Sequence, residues 1–284
     1  MRAVLREQSG VEPADTVDGL PADAPVDSIA AAEARRPALI PTEEWRLRVE
    51  LAACYRVFDH FGWVELLFNH ITVRVPGSPP SFLINPFGLH YGEVTAANLV
   101  RIDHRGEALE PTPHKVNRAG FVIHSAIHGA RADAHCVMHT HTTAGIAVAC
   151  KAAGLGHDDF YGAQLSGDVA YHAFEGITVH EAEGPRLVAS LAAKRVLVLR
   201  NHGLLVVGSN VFDAFRRHWT LQRACEVQLA AAALPGADVP LADDVRKACA
   251  RDADIGEAHD VLNRMLLLGA LRRAGVGGRA LAGL

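Results

Sequence analysis

Hydrophobic residues recur at every third or fourth position over several stretches of this chain, and this spacing predicts amphipathic helices. The first begins near Thr42, a residue type that caps helices, with Glu43 and Glu44 in the first turn, where the helix dipole favours acids. It continues to about residue 61 and stops near Gly62. Further helices are predicted over about 117–130, 143–152 and 211–233.

Shorter segments are either alternating or continuously apolar, and both patterns predict β-strands. His70–Val75 alternates, a Pro-Gly pair marks a turn, and Ser81–Ile84 returns the chain. Further strands are predicted over 136–139, 195–200 and 204–207. Strands and helices are mixed without strict βαβ alternation. We therefore predict an α/β fold, a three-layer α/β/α sandwich around a largely antiparallel central sheet.

Composition shifts along the chain predict three regions. Residues 1–40 are rich in Ala, Pro and Asp with few large apolar side chains, so we expect a disordered N-terminal arm. Residues 41–237 carry the predicted strands and helices and form the main domain. Residues 238–284 are rich in Ala, Arg and Leu, and we expect a helical tail folded over the domain or onto a neighbour.

The overall composition excludes several classes of partner. The 284 residues are 49% hydrophobic, enough for a large core, and the net charge of −4 gives no electrostatic footprint for nucleic acid or an anionic membrane. No apolar run approaches the roughly 20 residues of a spanning helix. Five cysteines without CxxC spacing favour reduced thiols. We expect a cytoplasmic protein that acts on a small molecule.

Histidine is the unusual count, at 16 residues, and spacing selects among them. His139 and His141 end a predicted strand, and residues two apart in an extended segment project to the same side. His202 follows another apolar strand, before a turn glycine. Three imidazoles from two strand ends, with an open fourth position, are typical of a catalytic metal site. The HxH pair alone is as often coincidence as function in a histidine-rich chain.

Several sequence blocks, taken in order, resemble the class II aldolase/adducin family over roughly residues 43–235. Two of them contain the three histidines, Cys136-Val-Met-His-Thr-His141 and Arg200-Asn-His-Gly203. Others are closest to the adducin-like branch: Phe68-Asn-His-Ile-Thr-Val-Arg74, Phe82-Leu-Ile-Asn-Pro-Phe-Gly88 and Gly167-Asp-Val-Ala-Tyr-His172. The resemblance implies that His139, His141 and His202 bind one divalent metal ion. Zinc is the first expectation, and manganese and iron are alternatives.

The chain departs from the family's sugar-phosphate aldolases at positions that matter for chemistry. Those enzymes place an acid on the helix before the HxH strand, and Gly120 stands at that position here. Their phosphate pocket uses small and hydroxyl-bearing residues where this chain has Phe68–His70, 85–88 and 118–119. The resemblance therefore implies a metal-dependent lyase, acting by retro-aldol cleavage or decarboxylation on a small unphosphorylated hydroxy- or oxo-acid.

The remaining site residues are candidates with open alternatives. His124, one helical turn beyond Gly120, and Tyr161 are the candidate catalytic proton carriers, although a histidine packed on a helix face is the alternative for His124. Asn69, His70 and Asn85 are candidate substrate-binding residues that would equally serve to cap turns.

Two other functions remain open on the same fold. Three imidazoles with open coordination positions also suit Fe(II) in a non-haem oxygenase, although two histidines and a carboxylate are the usual set. A non-catalytic binding or assembly module of the adducin type is the third alternative. In each case the resemblance implies a homo-oligomer, a symmetric tetramer with the pocket at the subunit boundary.

Overall fold

A computed structural model describes residues 27–77, 79–177, 180–254 and 260–283. Within them, one mixed sheet runs through the molecule. Its strands are β1 (His70–Val75), β2 (Ser81–Ile84), β3 (Val100–Ile102), β4 (Cys136–Thr140), β5 (Val169–His172), β6 (Val196–Leu199) and β7 (Gly203–Gly208). Their spatial order is β3-β2-β1-β4-β7-β6-β5, and only β5 and β6 pair in parallel. The predicted largely antiparallel sheet is confirmed.

Helices cover both faces of this sheet, which confirms the three-layer α/β/α fold class. They are α1 (Ser28–Glu33), α2 (Thr42–His60), α3 (Arg118–Ala130), α4 (Thr143–Ala149), α5 (Phe160–Gln164), α6 (Gly184–Leu191), α7 (Val211–Ala232), α8 (Asp243–Ala253), α9 (Asp260–Ala274) and α10 (Gly278–Ala282). The described residues also contain two short 3₁₀ turns, at Tyr91–Glu93 and Glu181–Glu183. Within the described ranges, no helix is both long enough and apolar enough to cross a bilayer.

Strand alternation decides which side chains reach which layer. Val137 packs with Ile123 and Leu187 on the side of α3 and α6, whereas Cys136 and Met138 pack on the side of α2 and α7. Because side chains alternate along a strand, His139 faces the α3 side together with Val137. The pairing of β1 with β4 sets His70 opposite His139 and Thr72 opposite Val137, so both β1 residues share that face.

The two ends of the chain were predicted to be a disordered arm and a helical tail folded over the domain or onto a neighbour. Residues 1–26 lie outside the described part. The last part of the predicted arm is instead structured: Ile29 is fully buried in α1, and the Trp45 indole donates to the Ala32 carbonyl at 3.1 Å. Leu267 and Leu271 of α9 are buried in the same core. The tail therefore packs on its own domain, because α9 supplies apolar side chains that this core needs.

Candidate metal centre

Three histidines meet at one edge of the sheet, where β4 ends and β6 turns into β7. His139 is the fourth residue of β4, His141 follows the strand, and His202 sits in the turn. That turn is tight: Asn201 adopts a positive φ of 55°, and a Cβ on Gly203 would lie 2.3 Å from the Thr140 carbonyl oxygen. Only glycine at this position lets the turn approach the end of β4 closely enough to join the three imidazoles.

The ring nitrogens converge as a metal site requires. One ligand atom from each of the three rings lies within 4.8 Å of the others, and the Nε2 atoms of His139 and His141 are 2.7 Å apart. The His139 Nδ1–H donates to the Leu204 carbonyl at 2.9 Å, which leaves its Nε2 lone pair free for an ion. Such a carbonyl acceptor behind a ligating imidazole fixes its tautomer and ring orientation. The structure therefore brings the three predicted ligands together.

Burial keeps these imidazoles in the neutral form that binds metal. Desolvation lowers the pKa of His202 to about 4 and holds the pKa of His139 well below its usual value, with a further lowering from His141. Burial also lowers the pKa of His141. Since a metal competes with protons for the same lone pairs, low pKa values favour metal binding at neutral pH.

The space beside Gly120, where the family's aldolases place an acid, is filled by His70 of β1. A Cβ at Gly120 would lie 2.6 Å from His70 Nε2, and the His70 Nε2–H donates to the Gly120 carbonyl. The ring of His70 also meets the ring of His139 edge-on, with centroids 5.5 Å apart. His70 therefore replaces, in space, the side chain that Gly120 lacks.

His70 was predicted to bind substrate, and the structure places it deeper than that. Its side chain is 2% exposed, and its ring stacks on that of His124 at 4.2 Å between centroids. Burial lowers the pKa of His70 to about 4. His124 is fully buried and joined by hydrogen bonds to Thr72 and through it to His128. The two candidates therefore form one buried unit beside the metal ligands.

Asn69 and Asn85 have structural partners rather than an open pocket. Asn69 is 2% exposed, and its amide donates to the Trp63 carbonyl at 3.3 Å. Asn85 is 5% exposed, and its side-chain oxygen accepts from the Tyr55 hydroxyl at 2.9 Å. Both contacts join residues at a distance in sequence and are not turn caps, and Asn69 Oδ1 has no hydrogen-bond partner among the described residues.

Tyr161 is not brought together with the three histidines in this chain. It is the second residue of α5, and its ring packs against the cluster that contains Leu165 and Leu221 on the α7 side of the sheet. The Arg223 guanidinium lies 5.6 Å from the ring centroid. His139 faces the opposite, α3 side, so the central sheet separates the two.

Three further residues lie near these histidines and were not predicted as site residues: Thr72, Phe174 and Glu183. Thr72 has a detectable signal, because it lies two positions after His70 and so shares its face of β1. The ring of Phe174 lies 6.1 Å from that of His202 and is half-exposed. Buried Glu183 lies 3.4 Å from His172 Nε2, and its charge partly offsets the lowering of the His202 pKa. No periodicity predicts the last two, because both belong to the irregular segment between β5 and α6.

This chain is similar to a known protein family and to several known proteins. The family described as Class II Aldolase and Adducin N-terminal domain matches residues 49–229. An aldolase class 2 protein of Pseudomonas aeruginosa, whose name gives no substrate, is 47% identical over 194 residues, 68% of this chain and 74% of its own length. Alpha-adducin of Mus musculus is also 47% identical, over 193 residues, which are 67% of this chain but 26% of the adducin.

Two solved structures share the fold over most of this chain. An aldolase II superfamily protein from Pseudomonas syringae superposes with a TM-score of 0.79 and 40% identity, covering 84% of this chain and 96% of that one. L-fuculose 1-phosphate aldolase from Glaciozyma antarctica superposes with a TM-score of 0.72 and 27% identity, covering 86% and 98%. The match therefore extends from the sheet into the terminal helices.

Proposed function

Because this chain belongs to the class II aldolase and adducin family, we propose that it is a metal-dependent carbon–carbon lyase. We propose retro-aldol cleavage or decarboxylation of a small unphosphorylated hydroxy- or oxo-acid. The observation that carries the proposal is the convergence of His139, His141 and His202, with the Leu204 carbonyl fixing the ligand tautomer of His139. A scaffold with no chemistry has no need of an open imidazole site.

The donor set fits one divalent ion. Three neutral imidazoles suit zinc first, with manganese or iron as alternatives, and three protein ligands leave a position for substrate. When bound, such an ion polarises an oxygen of the substrate and stabilises negative charge that develops beside it. The chain contributes the low-dielectric edge around the ligands, where His139 is 1% exposed. Half-exposed Phe174 beside His202 shields one side of that edge from water.

The substrate we propose carries no phosphate. The structural neighbour named L-fuculose 1-phosphate aldolase supports lyase chemistry on this fold. The family's sugar-phosphate enzymes, however, hold phosphate with small and hydroxyl-bearing residues, and this chain has Phe68 and buried His70 in one of those loops. A buried neutral imidazole offers a phosphate no charge, because its pKa of about 4 leaves it unprotonated at pH 7.

We propose His124 as the group that accepts a hydrogen bond or proton in place of the missing acid. It lies one helical turn beyond Gly120 and stacks on His70, which fills the acid's space. Tyr161 lies on the far side of the sheet, so it can serve only the site of a neighbouring subunit.

A non-catalytic binding or assembly function is the second candidate. The 47% identity with alpha-adducin, over a match that covers 26% of that protein, favours it. The two functions differ in what they require of the three histidines. Loss of metal abolishes a lyase, whereas an assembly module keeps its partner contacts.

We also propose that the chain works as a homo-oligomer, a tetramer, with the metal centre near the subunit boundary. Leu66 is 69% exposed and held at a positive φ of 49°, both of which are unfavourable for a leucine in water. Phe174 is half-exposed beside His202, and Phe68, two residues before His70, is half-exposed as well. A second copy of this chain that covers these side chains would remove their apolar surface from water.

We propose a cytoplasmic location and no nucleic-acid or membrane partner. Five free cysteines suit a reducing compartment, with three of them buried. The net charge of −4 is not that of a polyanion-binding protein.

The test is a substrate screen on the tag-free, zinc-loaded chain. Small hydroxy- and oxo-acids are incubated with the wild type and with the His202→Ala variant, and products are followed by ¹³C NMR. We expect cleavage of at least one acid by the wild type and none by the variant. Equal product formation by both proteins, or cleavage confined to phosphorylated sugars, contradicts the proposal.

A further inference from the structure

A chain of hydrogen bonds runs from a backbone carbonyl to a buried imidazole on the α3 face of the sheet. His128 Nδ1 lies 2.8 Å from the Ala134 carbonyl oxygen, and His128 Nε2 lies 2.8 Å from Thr72 Oγ1. Thr72 Oγ1 in turn lies 2.6 Å from His124 Nδ1. The side chains of all three linked residues are at most 1% exposed, so water does not compete with these bonds.

The direction of each bond follows from its fixed end. A carbonyl only accepts, so His128 Nδ1 carries the hydrogen, and burial lowers the pKa of His128 to about 3, which leaves its Nε2 as a bare acceptor. The Thr72 hydroxyl must then donate its one hydrogen to His128 Nε2. The Thr72 oxygen can therefore meet His124 Nδ1 only as an acceptor, and His124 Nδ1 carries the second hydrogen.

These hydrogen-bond directions leave His124 Nε2, at the end of the hydrogen-bonded series, without a hydrogen. With Nδ1 protonated and the ring neutral, His124 Nε2 is a lone pair, and no donor reaches it from the described residues. The stacked ring of His70 repeats the pattern: its Nε2–H is donated to Gly120, and its Nδ1 lacks a partner in the same ranges. Buried acceptors without donors are costly, so two side by side indicate a site for a donor.

The hydrogen-bonded series cannot conduct protons, because of the group at its other end. The Ala134 carbonyl cannot take up a proton, so a proton arriving at His128 has nowhere to go. The Arg74 guanidinium donates to the backbone carbonyl of His128 and holds this end in place. The arrangement therefore orients His124 and does not act as a proton wire.

We propose that Thr72 and His128 are positioning residues that hold His124 in its Nδ1-protonated tautomer, so that Nε2 accepts a hydrogen bond from a hydroxyl group beside the metal centre. This inference rests on the proposed function for the identity of the site. The hydroxyl belongs either to an ordered water or to the substrate. In either case the group beside His124 and His70 is a hydroxyl rather than a carboxylate, because two bare acceptors repel an anion. If the hydroxyl is the substrate's, the substrate is a hydroxy-acid that places its hydroxyl, and not its carboxylate, at this point.

Imidazole tautomers can be read directly in the full ¹⁵N-labelled chain from two-bond ¹⁵N–¹H correlation spectra. The His124 signals are assigned by their disappearance in His124→Gln. Two variants at one position form the matched pair: Thr72→Ser keeps the hydroxyl, and Thr72→Val keeps the shape without it. We expect a single Nδ1-protonated form of His124 in the wild type and in Thr72→Ser, and a mixture of tautomers in Thr72→Val.

An Nε2-protonated His124 in the wild type overturns the inference, as does a Thr72→Val spectrum identical to that of the wild type. Adding Zn²⁺ and then L-lactate, as a hydroxy-acid probe, tests the acceptor role. A hydrogen-bonded Nε2 shift before lactate identifies water, and one that appears only with lactate identifies the substrate hydroxyl. A free lone-pair shift throughout overturns the acceptor role.

These spectra separate the inference from the proposed function. Zn²⁺ should move the signals of His139, His141 and His202 and leave the tautomer of His124 unchanged. Zinc binding with the wrong His124 tautomer contradicts only the positioning role, whereas the expected tautomer without any zinc response contradicts only the metal-dependent function.

Discussion

His70 occupies the space that a side chain at position 120 would need, with its Nε2 2.6 Å from where a Cβ on Gly120 would stand. The ring cannot easily move away, because it is 2% exposed and stacked on His124. The glycine at position 120 and the imidazole at position 70 are therefore sterically matched to each other.

This relationship predicts a double-mutant cycle. Gly120→Ala should lower the free energy of unfolding by about 1–3 kcal/mol, because the new methyl group overpacks against His70. In a His70→Ala background the same change should be neutral or stabilising, since alanine is better than glycine in a helix by about 1 kcal/mol. Urea denaturation of the four proteins measures both values.

Gly129 in the same helix provides the matched control. A Cβ there meets nothing within 4 Å, so Gly129→Ala should stabilise the chain or leave it unchanged. If Gly120→Ala costs no more than Gly129→Ala, His70 does not fill the position as described.

The buried neutral histidines predict a loss of stability in mild acid. Burial lowers the pKa of His218 from 6.5 to about 3. Between those values the unfolded chain binds the proton and the folded chain does not, so the free energy of unfolding falls as the pH falls below about 6.5. One such histidine should cost about 2 kcal/mol between pH 7 and pH 5.

Two glutamine variants test this dependence. His218→Gln should flatten the pH dependence by that amount, and the exposed His104→Gln should leave it unchanged. Denaturation at the two pH values gives the comparison. Parallel profiles for the wild type and His218→Gln would show that His218 takes up its proton in the folded state.

Tetramer formation should depend on the exposed side chain of Leu66. Light scattering at micromolar concentration should give about four times the chain mass of 30.4 kDa. Leu66→Gly should lower that mass, because it removes a side chain that we propose a neighbouring subunit covers. Glycine also adopts the positive φ of this position without strain, so the variant should not destabilise the free monomer. Leu39→Gly is the control, since Leu39 is 97% exposed and lies just before α2, whose Glu44 pairs with Arg101 on the edge strand β3. A wild type at the mass of one chain refutes the assembly.

Sugar phosphates should not be substrates. Purified zinc-loaded chain should leave L-fuculose 1-phosphate uncleaved in an assay in which a known L-fuculose 1-phosphate aldolase is active. At the positions where the family's sugar-phosphate enzymes hold phosphate, this chain has Phe68 and His70, and Gly120 supplies no acid. Cleavage at rates near those of the control enzyme would show that another group holds the phosphate.

The sequence predicts this fold well where periodicity carries the information. Helix α2 and strands β1 and β4 lie within two residues of their predicted bounds, because each buries one regular face. Helix α1 was missed, since Ile29 and Ala32 are too few apolar residues to signal burial by themselves. Their burial depends on Trp45 and on the tail, which are distant in sequence.

The candidate site divides in the same way. The convergence of His139, His141 and His202 is predictable, because each lies at a strand end within a recognisable motif. The roles of His70, Thr72 and His128 are not, because they depend on the pairing of β1 with β4 and on the docking of α3 across both. The periodicity of the sequence does not indicate which tertiary hydrogen bond fixes the tautomer of a histidine.

The central claim is that His139, His141 and His202 hold one divalent ion, and metal analysis of tag-free protein tests it most directly. Purified without added metal and measured by inductively coupled plasma mass spectrometry, the wild type should hold one ion per chain, with zinc the expected metal. The exposed His60→Ala variant should retain it, and folded His202→Ala should lose most of it. A metal-free wild type, or full occupancy in His202→Ala, would contradict the account.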